Sequence, residues 1–557
     1  MALAFTHFGH PHGKAQPPDR LEEKCVPSLS WSTTPHWRNY HHTQDRQQVE
    51  TAALVPGPAP TGAIPALRKT AELLGAVLAH AAQKRAPVNV LGSAWSFSDI
   101  TKGPGGLAQT ALPQHVWRVD PADLGAAAVH RDRMVLAHAG TKIHELNAFL
   151  EPSLSLATSG AHDGQTIGGM LGTGVHGSVL TYGGFQNHVR GVHVVTGPGE
   201  SWWIERGPAP WLAGATARAL ANHVVLEADL FEATLVHLGG LGIINAVLLE
   251  AVPGFVVDLV RVKHPLTPAA IGQLQAGDFA GFAREVWPRS RDTPYYIEVI
   301  LDPFHPYAGY RGDAHNALVT LYYKREPNRT VARLAAMAAV AQEPTHEPLN
   351  LLARALAGQL EQDLLLPLPQ AVAWLVAQEF KVEPAPGVAP RQLTWGGANG
   401  PHVRQKILGW EIELYNAAYA IEQAHLSTTL KTMLDAFHTH GGGHQVFTLR
   451  FVNKAAGLLA FTRFDDTVVI NMDGLRTLNS ADAARCVALA LEREGIPFSQ
   501  HWGKQGVITS TRVMRDFGMP TDPRSRAGRW RAARYRLLSP EMRGILCSDA
   551  LAAWGLA

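Results

Sequence analysis

Between Gln165 and Ser178 the chain reads Gln-Thr-Ile-Gly-Gly-Met-Leu-Gly-Thr-Gly-Val-His-Gly-Ser, with glycines at 168, 169, 172, 174 and 177. Thr166, Thr173 and Ser178 add small hydroxyls, and His176 is the one ring. Glycine lets backbone N–H groups approach a ligand with no Cβ between them, and it accepts the positive φ that a tight anion-binding nest requires. The segment has no Lys or Arg. A phosphate held here would rest on backbone donors, which points to a nucleotide or dinucleotide; the alternative is a glycine-rich turn that binds nothing. Gly172-Thr-Gly174-Val-His-Gly177 spells G-x-G-x-x-G, but that motif works only with a strand leading in and a helix leading out. Ser159–Gln165 reads as loop, and Tyr182-Gly183-Gly184 bars a clean helix downstream, so a nicotinamide site is rejected.

Two further segments share this character. Pro87-Val-Asn-Val-Leu91 reads as a short apolar strand and is followed by the small-residue turn Gly92-Ser93-Ala94-Trp95-Ser96-Phe97-Ser98. His237-Leu-Gly-Gly-Leu-Gly242-Ile243-Ile244 leads into Asn245-Ala-Val-Leu-Leu-Glu-Ala-Val, a buried strand by its apolar run.

The elements that must position these turns are mixed. Residues 1–45, rich in His, Pro and Thr, predict an irregular lead-in. Ile64–Arg85 predicts an amphipathic helix with Leu67, Leu73, Leu74 and Val77 on its apolar face, and strands follow to residue 255, including Met134–Ala139 and Val189–Val195. From Val256 the pattern predicts a strand, helices over Val331–Val340, Leu351–Leu365 and Asn416–Thr439, strands over Gln445–Val452 and Thr467–Asn471, and a helix over Trp530–Leu537. A chain of 557 residues is long for one domain and comfortable for two.

Composition narrows the function classes. A formal charge of +2 leaves no electrostatic footprint for nucleic acid. Cys25, Cys486 and Cys547 are odd in number and far apart, which argues against a disulfide framework and fits a reducing compartment. The N-terminus lacks the basic and apolar regions of a secretory signal, and the apolar stretch Leu351–Phe380 is broken by Arg354, Glu361, Asp363 and two prolines. The expectation is a cytoplasmic protein with no membrane span; its oligomeric state is not legible.

Taken in order, Gly92–Ser96, Ala139-Gly140, Gln165–Ser178, Leu238–Ile244 and His501-Trp502-Gly503-Lys504 resemble the motifs of the vanillyl-alcohol oxidase superfamily of flavoproteins, in its aldonolactone and alditol oxidase branch. The resemblance implies an α+β fold: a two-lobed FAD-binding domain (residues 46–255), a mixed α+β cap over the substrate (256–490), and a C-terminal segment (491–557) returning to the FAD domain. It also implies that the flavin carries the redox chemistry while the protein supplies orientation and charge. The FAD contacts expected from it are Gly92, Ser93, Ala94, Trp95, Ser96 and Phe97, then Gln165, Thr166, Gly168, Gly169, Gly172, Thr173, Gly174, His176, Gly177 and Ser178, then Gly242, Ile243 and Ile244. Lys504, with His501 beside it, matches the family's active-site lysine motif.

Three positions mark where this chain departs. Arg450 lies on an alternating strand and resembles the arginine of the family's Glu-x-Arg pair, but the carboxylate position is Thr448. Glu413, on a predicted cap strand, is the candidate substitute, against the plainer reading of an exposed strand carboxylate. Trp95 stands where many relatives have the histidine bonded to the flavin, and indole cannot make that link, so the FAD is expected to be non-covalent. His176 is then structural rather than an attachment point. Asp435, His438, His440 and His444 have spacing that could suit zinc, but a helix-to-strand loop in a His-rich chain explains them as well, and no metal is assigned.

The function expected is oxidation of a CH–OH group by hydride transfer to flavin N5, on a small or medium-sized alcohol, sugar-acid lactone or polyol-like small molecule, with O2 as acceptor giving H2O2. The Leu- and Ala-rich stretch near 351–380 leaves room for a bulkier apolar alcohol, the plainer reading being packed core or an oligomer contact. The alternatives are a tailoring dehydrogenase acting on a C–N or C–C bond, and a flavin-binding protein without turnover.

Overall fold

The computed structural model describes residues 28–41, 43–55, 62–101, 114–160, 162–306, 314–327, 369–398, 406–407, 410–411 and 413–557. The helices expected over Val331–Val340 and Leu351–Leu365 lie outside them. The first described element is an antiparallel hairpin, β1 (Ser28–Arg38) and β2 (Asp45–Val55). Over residues 28–38 it replaces the irregular lead-in expected for residues 1–45; residues 1–27 lie outside the described residues. Trp31, Thr33, Thr34 and Trp37 favour extended backbone, and a two-stranded ribbon tolerates Pro35. Helix α1 (Ala63–Lys84) buries Leu67, Leu74, Val77, Leu78 and Ala81 along one stripe, with Leu73 half-buried at its margin.

A six-stranded sheet follows, built from β3 (Val116–Arg118), β4 (Met134–His138), β5 (Val189–Gly197), β6 (Glu200–Glu205), β7 (His223–Leu226) and β8 (Ile243–Glu250). Its order is β3-β4-β8-β5-β6-β7, antiparallel except between β6 and β7. Helices α2 (Ile143–Leu150) and α3 (Ile167–Thr173) lie between β4 and β5 in the chain. Pro87–Leu91, expected as a strand, joins no sheet; the Val88 N–H donates instead to the Ile545 carbonyl at 2.9 Å.

The second sheet has eight strands: β9 (Val256–Leu266), β10 (Tyr296–Pro306), β11 (His315–Arg325), β12 (Arg391–Thr394), β13 (Leu414–Glu422), β14 (Gln445–Asn453), β15 (Asp466–Leu475) and β16 (Phe498–Gln500). They run in the order β12-β9-β11-β10-β14-β15-β13-β16, antiparallel throughout. The helix expected over Asn416–Thr439 is a strand up to Glu422 and a helix, α4 (Leu426–His440), only after that. Its alanines favour a helix locally, but β15 and β16 pair with both edges of this segment and override that preference.

Strand alternation gives this sheet two unlike faces. Phe447, Leu449 and Phe451 of β14, Ile470 and Met472 of β15, and Tyr415 and Tyr419 of β13 pack in one core with Met433 and Phe437 of α4 and Val487 and Leu491 of α5 (Leu478–Arg493). The intervening positions, Thr448, Arg450, Asn471, Asp473 and Asn416, fall on the other face.

Near the C-terminal end lies α6 (Arg526–Leu537), followed by two shorter helices; its fully buried Trp530 and Arg534 reach back to the segment before β8. The Trp530 indole donates to the Val236 carbonyl at 3.0 Å. Arg534 donates to the Gly240, Leu546 (3.0 Å) and Arg543 (2.6 Å) carbonyls. Replacing Arg534 by Met keeps the volume but strips three buried carbonyls of donors. The expected loss is about 2–4 kcal/mol of stability, read as a lowered Tm in thermal unfolding; an unchanged Tm would contradict this role.

Candidate active site

The glycine-rich segment does not form the open nest its composition suggests. Ile167–Thr173 is a short helix, capped at its start by the Thr166 hydroxyl accepting from the Gly169 N–H (3.2 Å) and closed by left-handed Gly174. The other turns are tied to it. Ser93 Oγ donates to the Gly164 carbonyl at 2.6 Å, and the Leu238 N–H donates to the Gly172 carbonyl at 3.0 Å. Gly242 takes φ 119° on the way into β8, where a Cβ would stand 2.7 Å from the Val195 carbonyl, so only glycine fits. The C-terminal motif docks on the first turn through Phe97 N–H to Gly503 O (2.8 Å) and Ser98 Oγ to Trp502 O (2.6 Å).

Together these segments enclose a cavity of about 1650 Å³, open mouth included. Its walls contain Gly92, Ser93, Ala94, Trp95, Ser96, Phe97, Gln165, Thr166, Gly168, Gly169, Gly172, Thr173, His176, Gly242, Ile243 and Ile244, and at one end Arg450, His501 and Lys504. Four expected residues are not in the walls. Gly174 is spent on the helix cap, and Gly177 lies where its Cβ would press on the Ser159 carbonyl at 2.7 Å. Ser178 is fully buried between strands: it accepts from the Phe451 N–H at 2.9 Å and donates to the Ile297 carbonyl, filling the fork where β10 and β14 part. Glu413 lies just before β13 and pairs with Arg476 at 2.9 Å.

The acid beside Arg450 is instead Glu298, directly opposite it across the β10–β14 register. Arg450 Nε donates to Glu298 Oε2 at 2.7 Å, and the Tyr296 hydroxyl donates to the same oxygen at 3.0 Å. Both members of the ion pair are largely buried. The sequence signal was a single carboxylate inside the apolar run Tyr296-Ile-Glu298-Val-Ile300, but its partner lies 152 residues away on another strand. Asp473 and Asn416, also unforeseen, line the same end of the cavity. They are register partners on β15 and β13. Lys504 Nζ donates to Asn471 Oδ1 at 2.7 Å.

Two histidines face these cations. His176 Nδ1 lies 2.9 Å from the Gly177 carbonyl and must carry the proton, which leaves Nε2 an acceptor. His501 Nδ1 accepts from the Gly503 N–H at 2.9 Å, which leaves Nε2–H a donor. Burial first, then Lys504 and Arg450, holds His176 well below the usual imidazole range; burial, then Lys504 and His176, does the same for His501. Both rings are therefore neutral at physiological pH.

The cavity suits a dinucleotide. A Cβ at Gly169 would meet only its own capping Thr166 hydroxyl and otherwise stand in open space, so the backbone is bare where a phosphate would need it. The lining residues Asn89, Gln165 and Asn416 each keep a buried polar atom with no protein partner. Among the described residues no group of three or more His, Cys, Asp or Glu is placed to hold a metal, and no helix is long and apolar enough to cross a membrane. Asp435 pairs with Lys431, and His444 sits against the Thr477 hydroxyl.

Comparison with known proteins bears on this geometry. The family model for the FAD binding domain matches residues 65–205. L-gulonolactone oxidase of Scyliorhinus torazame is 25% identical over 199 residues, which are 36% of this chain and 39% of that protein. The same-named enzyme of Mus musculus is 30% identical over 192 residues, 34% of this chain and 37% of that protein. The chain thus spans well under half the length of the curated relatives it matches. A crystal structure of cholesterol oxidase from B. sterolicum superposes over 94% of this chain and 97% of its own, with a TM-score of 0.61 at 13% identity, a likeness of fold.

His237 ties the glycine helix to the turn before β8: Nε2–H lies 3.1 Å from the Gly168 carbonyl, and Nδ1 accepts from the Gly239 N–H at 3.0 Å. Burial pushes its pKa down to about 4. The unfolded chain, with an ordinary histidine near 6.5, binds the extra proton throughout the window between, so folding stability falls as pH drops from 6.5 toward 4, by about 1.4 kcal/mol per pH unit for each such residue. His188, pushed to about 4, has the same sign. Tm measured from pH 7 to 4.5 should fall steadily, and His237→Gln, which keeps a donor and an acceptor but does not titrate, should flatten the slope. Equal slopes would contradict the assignment.

Proposed function

We propose that this chain, which carries the FAD-binding domain and the two-domain fold of the vanillyl-alcohol oxidase superfamily, is an FAD-dependent oxidoreductase that oxidises a CH–OH group and passes the electrons to O2. The observation that carries this reading is the joining of two features in one cavity. Glycine-bearing segments from distant parts of the chain line one cavity, and the same wall holds Arg450 and Lys504 with neutral His176 and His501. Bound FAD supplies a hydride acceptor at N5 and, once reduced, negative charge near N1 and O2.

The side chains around it have assignable work. Arg450, steadied by Glu298, and Lys504, steadied by Asn471, place fixed positive charge where reduction creates negative charge, and need no reorganisation as it forms. Asp473, the carboxylate among the described cavity-lining residues, accepts the substrate hydroxyl hydrogen, and the His501 Nε2–H donates to its oxygen. The substrate loses a hydride and a proton and becomes a carbonyl; O2 takes two electrons and two protons and leaves as H2O2. Residues 46–255 with 491–557 form the FAD side in this reading, and 256–490 the substrate side. Lactones such as L-gulonolactone and apolar alcohols such as sterols are the first donors to try, since relatives bear those names. Trp95 at the attachment position makes the FAD non-covalent.

The purified protein should show a flavin spectrum whose colour passes wholly into the supernatant on acid precipitation. Mixing anaerobically with lactones, polyols and sterols should bleach the flavin with at least one of them. Arg450→Ala and Lys504→Met should each slow that bleaching by about 10²-fold or more while retaining FAD. Colour in the acid pellet would overturn the non-covalent claim, and unchanged bleaching rates would overturn the site.

A further inference from the structure

The β1–β2 hairpin lies outside the segment matched by the FAD-binding model, which begins at residue 65. Its tip nevertheless reaches the cavity wall. The Tyr40 N–H donates to the Ala94 carbonyl at 2.9 Å, Asn39 Nδ2 to the Ser96 carbonyl at 2.8 Å, Thr43 Oγ1 to the Phe97 carbonyl at 2.8 Å, and Gln44 Nε2 to the Ser98 carbonyl. The outward carbonyls of residues 94 and 96–98 thus go to one turn, while residues 94–97 line the cavity on the other side.

The aromatic rings repeat the pattern. Tyr40 stacks on Trp95 with centroids 4.2 Å apart and planes 20° apart, and His41 stacks on Phe97 at 3.7 Å and 9°. His41 is itself in the cavity wall. Ala94 adopts φ 53°, a left-handed conformation that costs a residue with a Cβ, and it is held there by the bond from Tyr40 and by packing with Trp37 of β1 and Leu91. A left-handed alanine persists only where its surroundings over-determine it, and here the surroundings are the hairpin.

We propose that the hairpin tip, through residues 39–41, 43 and 44, is a cofactor clamp. By stacking on Trp95 and Phe97 and bonding the carbonyls beside them, it keeps this wall closed on FAD at the position where no covalent link can form. The inference rests on the FAD reading above and adds a binding element to it. Loss of the clamp acts on FAD retention rather than on the fold of the FAD domain, because the bonds of the tip named above go to one loop, whereas the body of the hairpin packs on α1 through the Trp31–His80 stack and the Glu50–Lys84 ion pair.

The test is the rate of FAD release from the holoprotein, followed by the rise in free-flavin fluorescence after dilution. Tyr40→Ala removes the stacked ring but keeps the backbone N–H; it should release FAD about ten-fold faster, the upper value for one aromatic pair. Tyr40→Phe, which keeps the ring, should match the wild type. Thr43→Val, near-isosteric but without the hydroxyl that donates to the Phe97 carbonyl and accepts from Asn39 Nδ2, should release FAD faster without disturbing the apo-protein's Tm. Release from Tyr40→Ala at the wild-type rate would overturn the clamp. So would equal destabilisation of the apo and FAD-loaded forms by both Tyr40→Ala and Thr43→Val, which would make the hairpin merely structural. A wild-type protein that cannot be loaded with FAD would overturn the parent reading instead, and would do so before any variant is made.

Discussion

Two positive charges, Arg450 buried and Lys504 half-buried in the cavity wall, set the terms for the rest of this molecule. A buried guanidinium is costly unless a partner meets it with good geometry. Arg450 has that partner in Glu298, directly across the ladder and within hydrogen-bond distance. The pair sits at the last paired rung of β10 and β14, next to where the strands part around the Ser178 hydroxyl. Ser178 belongs to the glycine-rich motif, so the hydroxyl that fills the fork also ties that motif to the eight-stranded sheet beside the cavity. Lys504 obeys the same rule with a softer partner, Asn471, which accepts its hydrogen bond without neutralising its charge. The positive field therefore remains available to whatever the cavity holds, and it adds to the burial that keeps both nearby imidazoles neutral.

The cavity itself is a problem of long-range closure. Its walls come from segments near residues 40, 95, 170, 240, 450 and 503, and each contact between them closes a large loop of chain. What makes this affordable is that the contacts end on backbone: carbonyls and N–H groups of the turns bond one another or meet short polar side chains such as Ser93, Ser98 and Thr43, and buried Arg534 and His237 bridge the remainder. The eight-stranded sheet contributes through its alternation, one face committed to aromatic and aliphatic packing and the other carrying Arg450, Asp473 and Asn416 into the cavity wall.

How much of this could be read in the chain depended on the range of the interaction. The glycine turns announce themselves because small residues at tight spacing have few other uses, and nearly all the residues expected around them do line the cavity. Alternation along β14 correctly placed Thr448 and Arg450 on one face. The acid beside Arg450 was illegible, since nothing local joins position 298 to position 450; Glu413 was nearer in sequence but points to Arg476. Leu414–Glu422 misled because alanine's helical preference is local, whereas the strands that capture the segment lie elsewhere. The hairpin was hidden for a related reason: its His, Pro and Thr look irregular until the loop at Ala94–Ser98 gives their donors and rings something to hold.

In the proposed site Arg450 and Lys504 act on the charge of reduced FAD. The midpoint potential of the bound flavin reads that charge without any knowledge of the substrate. Removing a fixed cation should destabilise the reduced form, so Lys504→Met should have a more negative potential than the wild type, with FAD stoichiometry unchanged. Identical potentials in the two proteins would mean that the lysine does not face the flavin, and the proposed arrangement of the site would be wrong.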